Sequence, residues 1–182
     1  MKHALVIGGS GMLSVATLWL AKEGYHVSVI GRNQERLDHL KNQVLNPATI
    51  TTLSLDYRQE DIFKDRIAMT IERNGPLELV VAWIHFPFKN GLETIAQVAG
   101  DGQPWRMIHV IGSRANHEDV RTGLNLAETC SYQQVQLGFV LDGETSRWLK
   151  HEEISNGVIE AIAKDKQYQL IGVLEPENRR PY

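Results

Sequence analysis

The sequence predicts an α/β protein built on a doubly wound parallel sheet of about seven strands. Three observations lead there. Short apolar runs alternate with amphipathic stretches along nearly the whole chain. Several runs are apolar at consecutive positions, Leu5-Val6-Ile7 first, which calls for a sheet covered on both faces. Three glycines, Gly8, Gly9 and Gly11, separate that first run from a stretch of helical periodicity. A length of 182 residues suits one domain, residues 1–182, with a sizeable core.

Each element follows in order. HALVIGG (3–9) reads as a buried strand and its exit. From Met12, apolar residues recur at Val15, Ala16 and Trp19, one face of a helix, and Gly24 caps it. HVSVIGR (26–32) is the second strand. NQERLDHLKNQVL (33–45) is a helix with Leu37, Leu40 and Val44 on one side, broken by Asn46-Pro47. ITTLSLD (50–56) alternates as a third strand, and EDIFKDRIAMTIERNG (60–75) is a helix closed by Gly75-Pro76. LELVVAWIH (77–85), GLETIAQVA (91–99) and WRMIHVIGS (105–113) give strand, short helix and strand. VRTGLNLAETC (120–130) leaves room for a reduced helix only. QVQLGFVLDG (134–143) is the sixth strand, HEEISNGVIEAIAK (151–164) a late helix and YQLIGVL (168–174) the seventh strand.

Composition narrows the function. A hydrophobic content of 42% and a charged content of 23% are ordinary for a soluble globular chain. The net charge of −3 offers no field for nucleic acid, and Arg179-Arg180 sits in a polar tail. No apolar run approaches the roughly 20 residues that span a bilayer, so no membrane association is expected. A strand and turn explain MKHALVIGGSGML better than a secretory leader does. The single cysteine, Cys130, rules out an internal disulfide and fits a reducing compartment, so a cytoplasmic location is expected. The seven histidines show no metal-binding spacing, and no metal is expected.

Ligands on doubly wound sheets bind beyond the carboxyl ends of the strands. There, Gly8, Gly11 and Ser14 stand in a G-x-x-G-x-x-S spacing between the first strand and the first helix. A phosphate needs backbone N–H groups aimed at it and the positive end of a helix dipole beneath it. Glycines let the backbone turn sharply and approach without a Cβ in the way. Ser14 is small enough to stand where a third glycine often allows helix and strand to pack closely. Gly8, Gly9, Ser10, Gly11, Met12 and Leu13 are therefore expected to cradle a dinucleotide pyrophosphate.

The end of the second strand reads Gly31-Arg32-Asn33, where NAD-binding folds commonly place an acidic residue for the ribose hydroxyl. A carboxylate would repel a 2′-phosphate, whereas an arginine pairs with it through charge-assisted hydrogen bonds. NADP(H) is thus expected in preference to NAD(H), with Arg32 and Asn33 at its adenosine end.

Taken together, these segments resemble the short-chain dehydrogenase/reductase family, which has a Rossmann fold. IGGSGML resembles the glycine turn of its extended and atypical branches, and GR after the second strand resembles its NADP-preferring members. The resemblance makes Asp56 and Tyr57, in SLDYR, neighbours of the adenine. It places Ala82 and Trp83, in VVAWIH, at the family's Asn-Asn-Ala-Gly strand end. VIGS matches the strand end that carries the family's catalytic serine, giving Ser113. LDGETSR stands where the family's loop touches the nicotinamide amide and pyrophosphate, making Gly143, Thr145 and Ser146 candidates. The family often dimerises through the helices after strands four and five; a homo-oligomer is compatible with this, although the second of those helices is reduced here.

One departure matters. Family catalysis rests on Tyr-x-x-x-Lys, one helical turn apart, and this chain has no such pair. Tyr132 has Gln136 at that spacing and stands at the start of the sixth strand. His85, at the mouth of the fourth strand, could replace the acid, since a histidine titrates near neutral pH. His109 shares a strand face with Ser113 if that strand stays regular to its end. Two readings follow: an NADPH-dependent oxidoreductase acting on an unidentified small carbonyl or alcohol, and a non-catalytic NADP(H)-binding sensor or regulatory protein.

Overall fold

The computed structural model describes residues 1–84, 90–100 and 102–181. Among them the chain runs β1 (Lys2–Ile7), α1 (Ser14–Lys22), β2 (Tyr25–Gly31), α2 (Gln34–Lys41), β3 (Ile50–Ser54), α3 (Glu60–Asn74), β4 (Leu77–Trp83), α4 (Asn90–Ala99), β5 (Trp105–Ile111), α5 (His117–Thr122), β6 (Cys130–Leu137), β7 (Phe139–Asp142), β8 (Thr145–Trp148), α6 (His151–Lys164) and β9 (Tyr168–Ile171). Seven strands form one sheet in the order β3-β2-β1-β4-β5-β6-β9. Every pairing in it is parallel. The doubly wound architecture expected from the sequence is the one observed. From β1 the chain winds outward to β3 on one side, then returns to β4 and winds outward on the other. The switch point, and the crevice it opens, therefore lies at the carboxyl ends of β1 and β4.

Alternation along each strand divides the core in two. Ala4 and Val6 join Leu13, Ala16 and Leu20 of the first helical segment, Leu37 and Leu40 of α2, and Ile154 and Val158 of α6 on one face. Leu5 and Ile7 join Phe63 and Ile67 of α3 and Leu92 and Ile95 of α4 on the other. Side chains buried on both faces explain the uninterrupted apolar runs. Among the described residues no helix is long and apolar enough to cross a membrane.

Three elements depart from the expected boundaries. The helix of 33–45 ends at Lys41, with Asn42 as its cap. The run 134–143 is not one strand. It breaks at Gly138, whose N–H donates to the Ile171 carbonyl at 2.8 Å while the chain lies against Val173. A Cβ at Gly138 would fall 2.2 Å from the Val173 oxygen, so only glycine passes there. Beyond it the chain leaves the sheet and folds back as the antiparallel pair β7–β8. Finally, the helix placed at 120–130 forms earlier. Asn116 starts it by accepting from the Glu118 and Asp119 N–H groups, and it ends at Gly123. The following segment is drawn along α4, where Asn125 N donates to Glu93 Oε1 at 3.0 Å, and packs the half-buried Leu124 and Leu126 against the core.

Candidate cofactor and active site

The glycine turn is built by the backbone. Gly8 takes a φ of +83°, in the left-handed region that favours glycine, and its N–H donates to the Ile30 carbonyl of β2 at 3.0 Å. Gly11 N then donates to Gly8 O at 3.1 Å, and Ser14 N to Gly11 O at 3.0 Å. Two side chains hold the turn from the protein side. Thr17 Oγ1 donates to the carbonyls of Gly9 and Leu13 at 3.2 and 2.9 Å, and Ser155 Oγ of α6 donates to Met12 O at 2.8 Å. All these contacts consume carbonyls. Among the described residues the N–H groups of Met12 and Leu13 donate to no backbone acceptor, and no side chain caps α1. Unsatisfied donors at the positive end of a helix are what a pyrophosphate requires. A Cβ on Gly11 would meet only Gly8 O, at 3.7 Å, so the space beside it is open. The turn fits a dinucleotide.

Close helix–strand packing falls to a different residue from the one expected. Gly9, not Ser14, fills that role. A Cβ on Gly9 would lie 2.7 Å from Thr17 Oγ1, 2.8 Å from Val29 Cγ1 and 2.9 Å from Val6 Cγ1. Ser10 packs against the end of β2, where a Cβ on Gly31 would come within 2.8 Å of its Oγ.

Past β2, Arg32 is exposed and makes no hydrogen bond among the described residues. Asn33 caps α2, its Oδ1 accepting from Arg36 N at 2.9 Å. Asp56, after β3, is gripped by Arg58, whose Nε donates to both carboxylate oxygens at 3.0 Å and whose backbone N donates to Oδ1 at 3.0 Å. These bonds from Arg58, chiefly through its side chain and with a smaller through-space contribution from Arg32, hold the Asp56 carboxyl down at about 2. Sequence reasoning passed over Arg58, although it lies two residues beyond Asp56 in the quoted SLDYR. Tyr57 packs its half-buried ring into the core beside β3.

At the end of β4, Ala82 is fully buried and Trp83 half-buried. The indole spans two glycines. A Cβ on Gly8 would lie 3.6 Å from Trp83 Cβ, and one on Gly112 would lie 3.9 Å from its Cη2. Beyond Trp83 opens a cavity of about 620 Å³, walled by Ile84, Leu92, His109, Ile111 and Leu124, with Arg114 and Asp119 also in its lining. His85 lies outside the described residues.

β5 ends at Ile111, so the strand regularity that would align His109 with Ser113 stops short. Ser113 stands in the turn closed by Ala115 N donating to Gly112 O at 3.1 Å, and its hydroxyl has no partner among the described residues. His109 is buried, and burial pushes its pKa down to about 4, so the ring is neutral at physiological pH. Its Nδ1 lies 2.8 Å from Tyr132 Oη, and burial pushes the Tyr132 hydroxyl well above its usual range. Tyr132 is the third residue of β6 rather than part of a helix. Gly143, Thr145 and Ser146 belong to the β7–β8 hairpin. Gly143 turns it with a φ of +56°, and its carbonyl and that of Thr145 accept from Arg179 at 2.6 and 3.1 Å. Among the described residues no hydrogen bond ties these three to the glycine turn or to Ser113.

No protein-family model matches the sequence, and no curated protein matches it. Solved structures do match. An NADPH dependent reductase involved in bacilysin biosynthesis, YwfH, superposes with a TM-score of 0.72 at 14% identity, over 92% of this chain and 96% of that one. A short-chain dehydrogenase/reductase of the glucose/ribitol dehydrogenase type from Brucella melitensis gives 0.69 at 17% identity, over 94% of each chain. An actinorhodin polyketide ketoreductase solved with NADPH gives 0.68 at 16% identity, over 94% and 95%. Sheet order, glycine turn and superposition agree: this protein has the fold of the short-chain dehydrogenases/reductases.

Proposed function

We propose that this chain is an NADP(H)-binding oxidoreductase acting on a small carbonyl or alcohol compound. The observation that carries the reading is the glycine turn at the carboxyl end of β1, with its open Gly11 edge, its uncapped helix and the Met12 and Leu13 N–H groups that have no acceptor among the described residues. A nicotinamide held there supplies or takes a hydride; the protein's task is to orient the substrate and manage a proton. Ser113, just past the end of β5 and with a hydroxyl that has no partner among the described residues, orients the carbonyl oxygen. His85 protonates it. The two NADPH-associated structures of the same fold support the choice of nicotinamide cofactor.

Arg32 selects the phosphorylated cofactor. It is exposed, makes no hydrogen bond among the described residues and stands with Arg58 close to Asp56, giving a local excess of positive charge for a 2′-phosphate. A hydrogen bond to a charged group contributes roughly 1.5–3 kcal/mol, so Arg32→Ala should weaken NADPH roughly 10- to 100-fold and barely affect NADH. Direct titration of both cofactors checks this; equal losses would show that Arg32 does not read the phosphate.

Catalysis is tested by NADPH consumption over an aldehyde, ketone and quinone panel, using wild type, Ser113→Ala and His85→Gln. One general acid contributes roughly 10²- to 10⁴-fold, so turnover without the Tyr/Lys pair should be slow but measurable. The rate should fall as pH rises and the acid loses its proton, a dependence His85→Gln removes. A second reading, a non-catalytic NADP(H) sensor, is favoured by the short α5, His117–Thr122, which carries neither the family's Tyr nor its Lys. Tight NADPH binding with no turnover by any variant would select it.

A further inference from the structure

β5 and β6 pair in register, with Met107 opposite Tyr132 and His109 opposite Gln134. Three polar side chains form a hydrogen-bonded chain on the side of this pair that carries α5. Gln134 Nε2 donates to the His117 carbonyl at 2.9 Å and lies 3.1 Å from Tyr132 Oη, which lies 2.8 Å from His109 Nδ1. A carbonyl can only accept, so the His117 oxygen fixes which end of the Gln134 amide points here. Its second N–H then donates to the Tyr132 oxygen. The Tyr132 hydroxyl has no other acceptor among the described residues, so its proton is directed at His109 Nδ1, and the His109 proton sits on Nε2. Nδ1 being taken, Nε2–H is the donor left for a ligand. It makes no hydrogen bond among the described residues, and the ring lines the cavity.

The rest of that cavity sets the ligand class. Its lining is largely apolar, with the Trp83 indole as one wall. Its volume of about 620 Å³ falls in the usual range for small-molecule sites. Among the described residues of the lining the two charged ones, Arg114 and Asp119, have opposite signs, so a neutral compound is matched. We infer that this cavity binds a neutral, ring-bearing carbonyl compound whose oxygen accepts from His109 Nε2–H, with Tyr132 and Gln134 as positioning residues that keep the proton on that nitrogen. The inference deepens the oxidoreductase reading and rests on it for the choice of a carbonyl oxygen.

The test pairs two probes of similar shape, acetonaphthone and ethylnaphthalene, with wild type, His109→Phe and Tyr132→Phe. Affinities are measured by calorimetry with and without NADPH. The ketone-to-hydrocarbon affinity ratio should fall about 10-fold in His109→Phe, the loss of one hydrogen bond. Nitrogen-15 spectra of the histidine rings should show His109 protonated on Nε2 in wild type, and a mixture of tautomers in Tyr132→Phe with a smaller fall in the ratio. Failure of either probe to bind wild type overturns the inference. So does a ratio unchanged in His109→Phe, or a wild-type proton on Nδ1. Should His109→Phe not fold, the wild-type tautomer and the Tyr132→Phe ratio still decide. A ketone held through His109 but never reduced would leave this inference standing and overturn the oxidoreductase reading. Carbonyl turnover indifferent to His109→Phe in both rate and KM would do the reverse.

Discussion

Gly11→Val is expected to leave the fold intact and to weaken NADPH and NADH alike by at least about 100-fold, or about 2.7 kcal/mol. The fold tolerates the change because Gly11 is not among the glycines with positive φ, and an added Cβ meets only Gly8 O at 3.7 Å. Cofactor binding should not, because the new side chain would enter the open space beside Gly11 that the proposed pyrophosphate occupies. Loss of both cofactors separates this effect from that of Arg32, which concerns the 2′-phosphate alone. Thermal melting and cofactor titration on the same sample check it. Retained affinity would mean that the phosphates do not pass over Gly11.

Gly9→Ala, two residues away, should do the opposite and lower stability by about 3 kcal/mol, or roughly 6–12 °C in Tm for a chain of this size. A single methyl group would sit under 3.0 Å from Thr17 Oγ1, Val29 Cγ1 and Val6 Cγ1. Both valines are fully buried, each with strand backbone behind it, and cannot step aside. Thr17 could turn away only by giving up its bonds to the Gly9 and Leu13 carbonyls, the bonds that shape the turn. Urea unfolding measures the loss. A change within about 1 kcal/mol would show that the strands relax around the new methyl group.

The contrast between these two glycines also marks how much the sequence made legible. Sheet, winding and glycine turn could be read because each rests on a local pattern: consecutive apolar residues, helical spacing, glycines between strand and helix. Which glycine packs and which stays open could not, because that depends on Val29, contributed by the neighbouring strand. The break at Gly138 was hidden for the same reason, since the obstacle is Val173, far along the chain. For His109 the sequence offered only a shared strand face with Ser113. Its partner Tyr132 is 23 residues away and meets it only through the register of β5 and β6. The early start of α5 did carry a local signal, Asn116 before His117-Glu118-Asp119, outweighed by the apolar spacing further on.

The position of the Trp83 indole has a thermodynamic consequence. One part of the side chain lies against Gly8 of the cofactor turn, and its far edge faces Gly112 at the cavity. On the proposed reading, a cofactor over the glycine turn and a ligand in the cavity would meet the same side chain. Linkage makes any coupling through it equal in both directions: whatever factor cofactor adds to the affinity of a cavity ligand, that ligand returns to the cofactor.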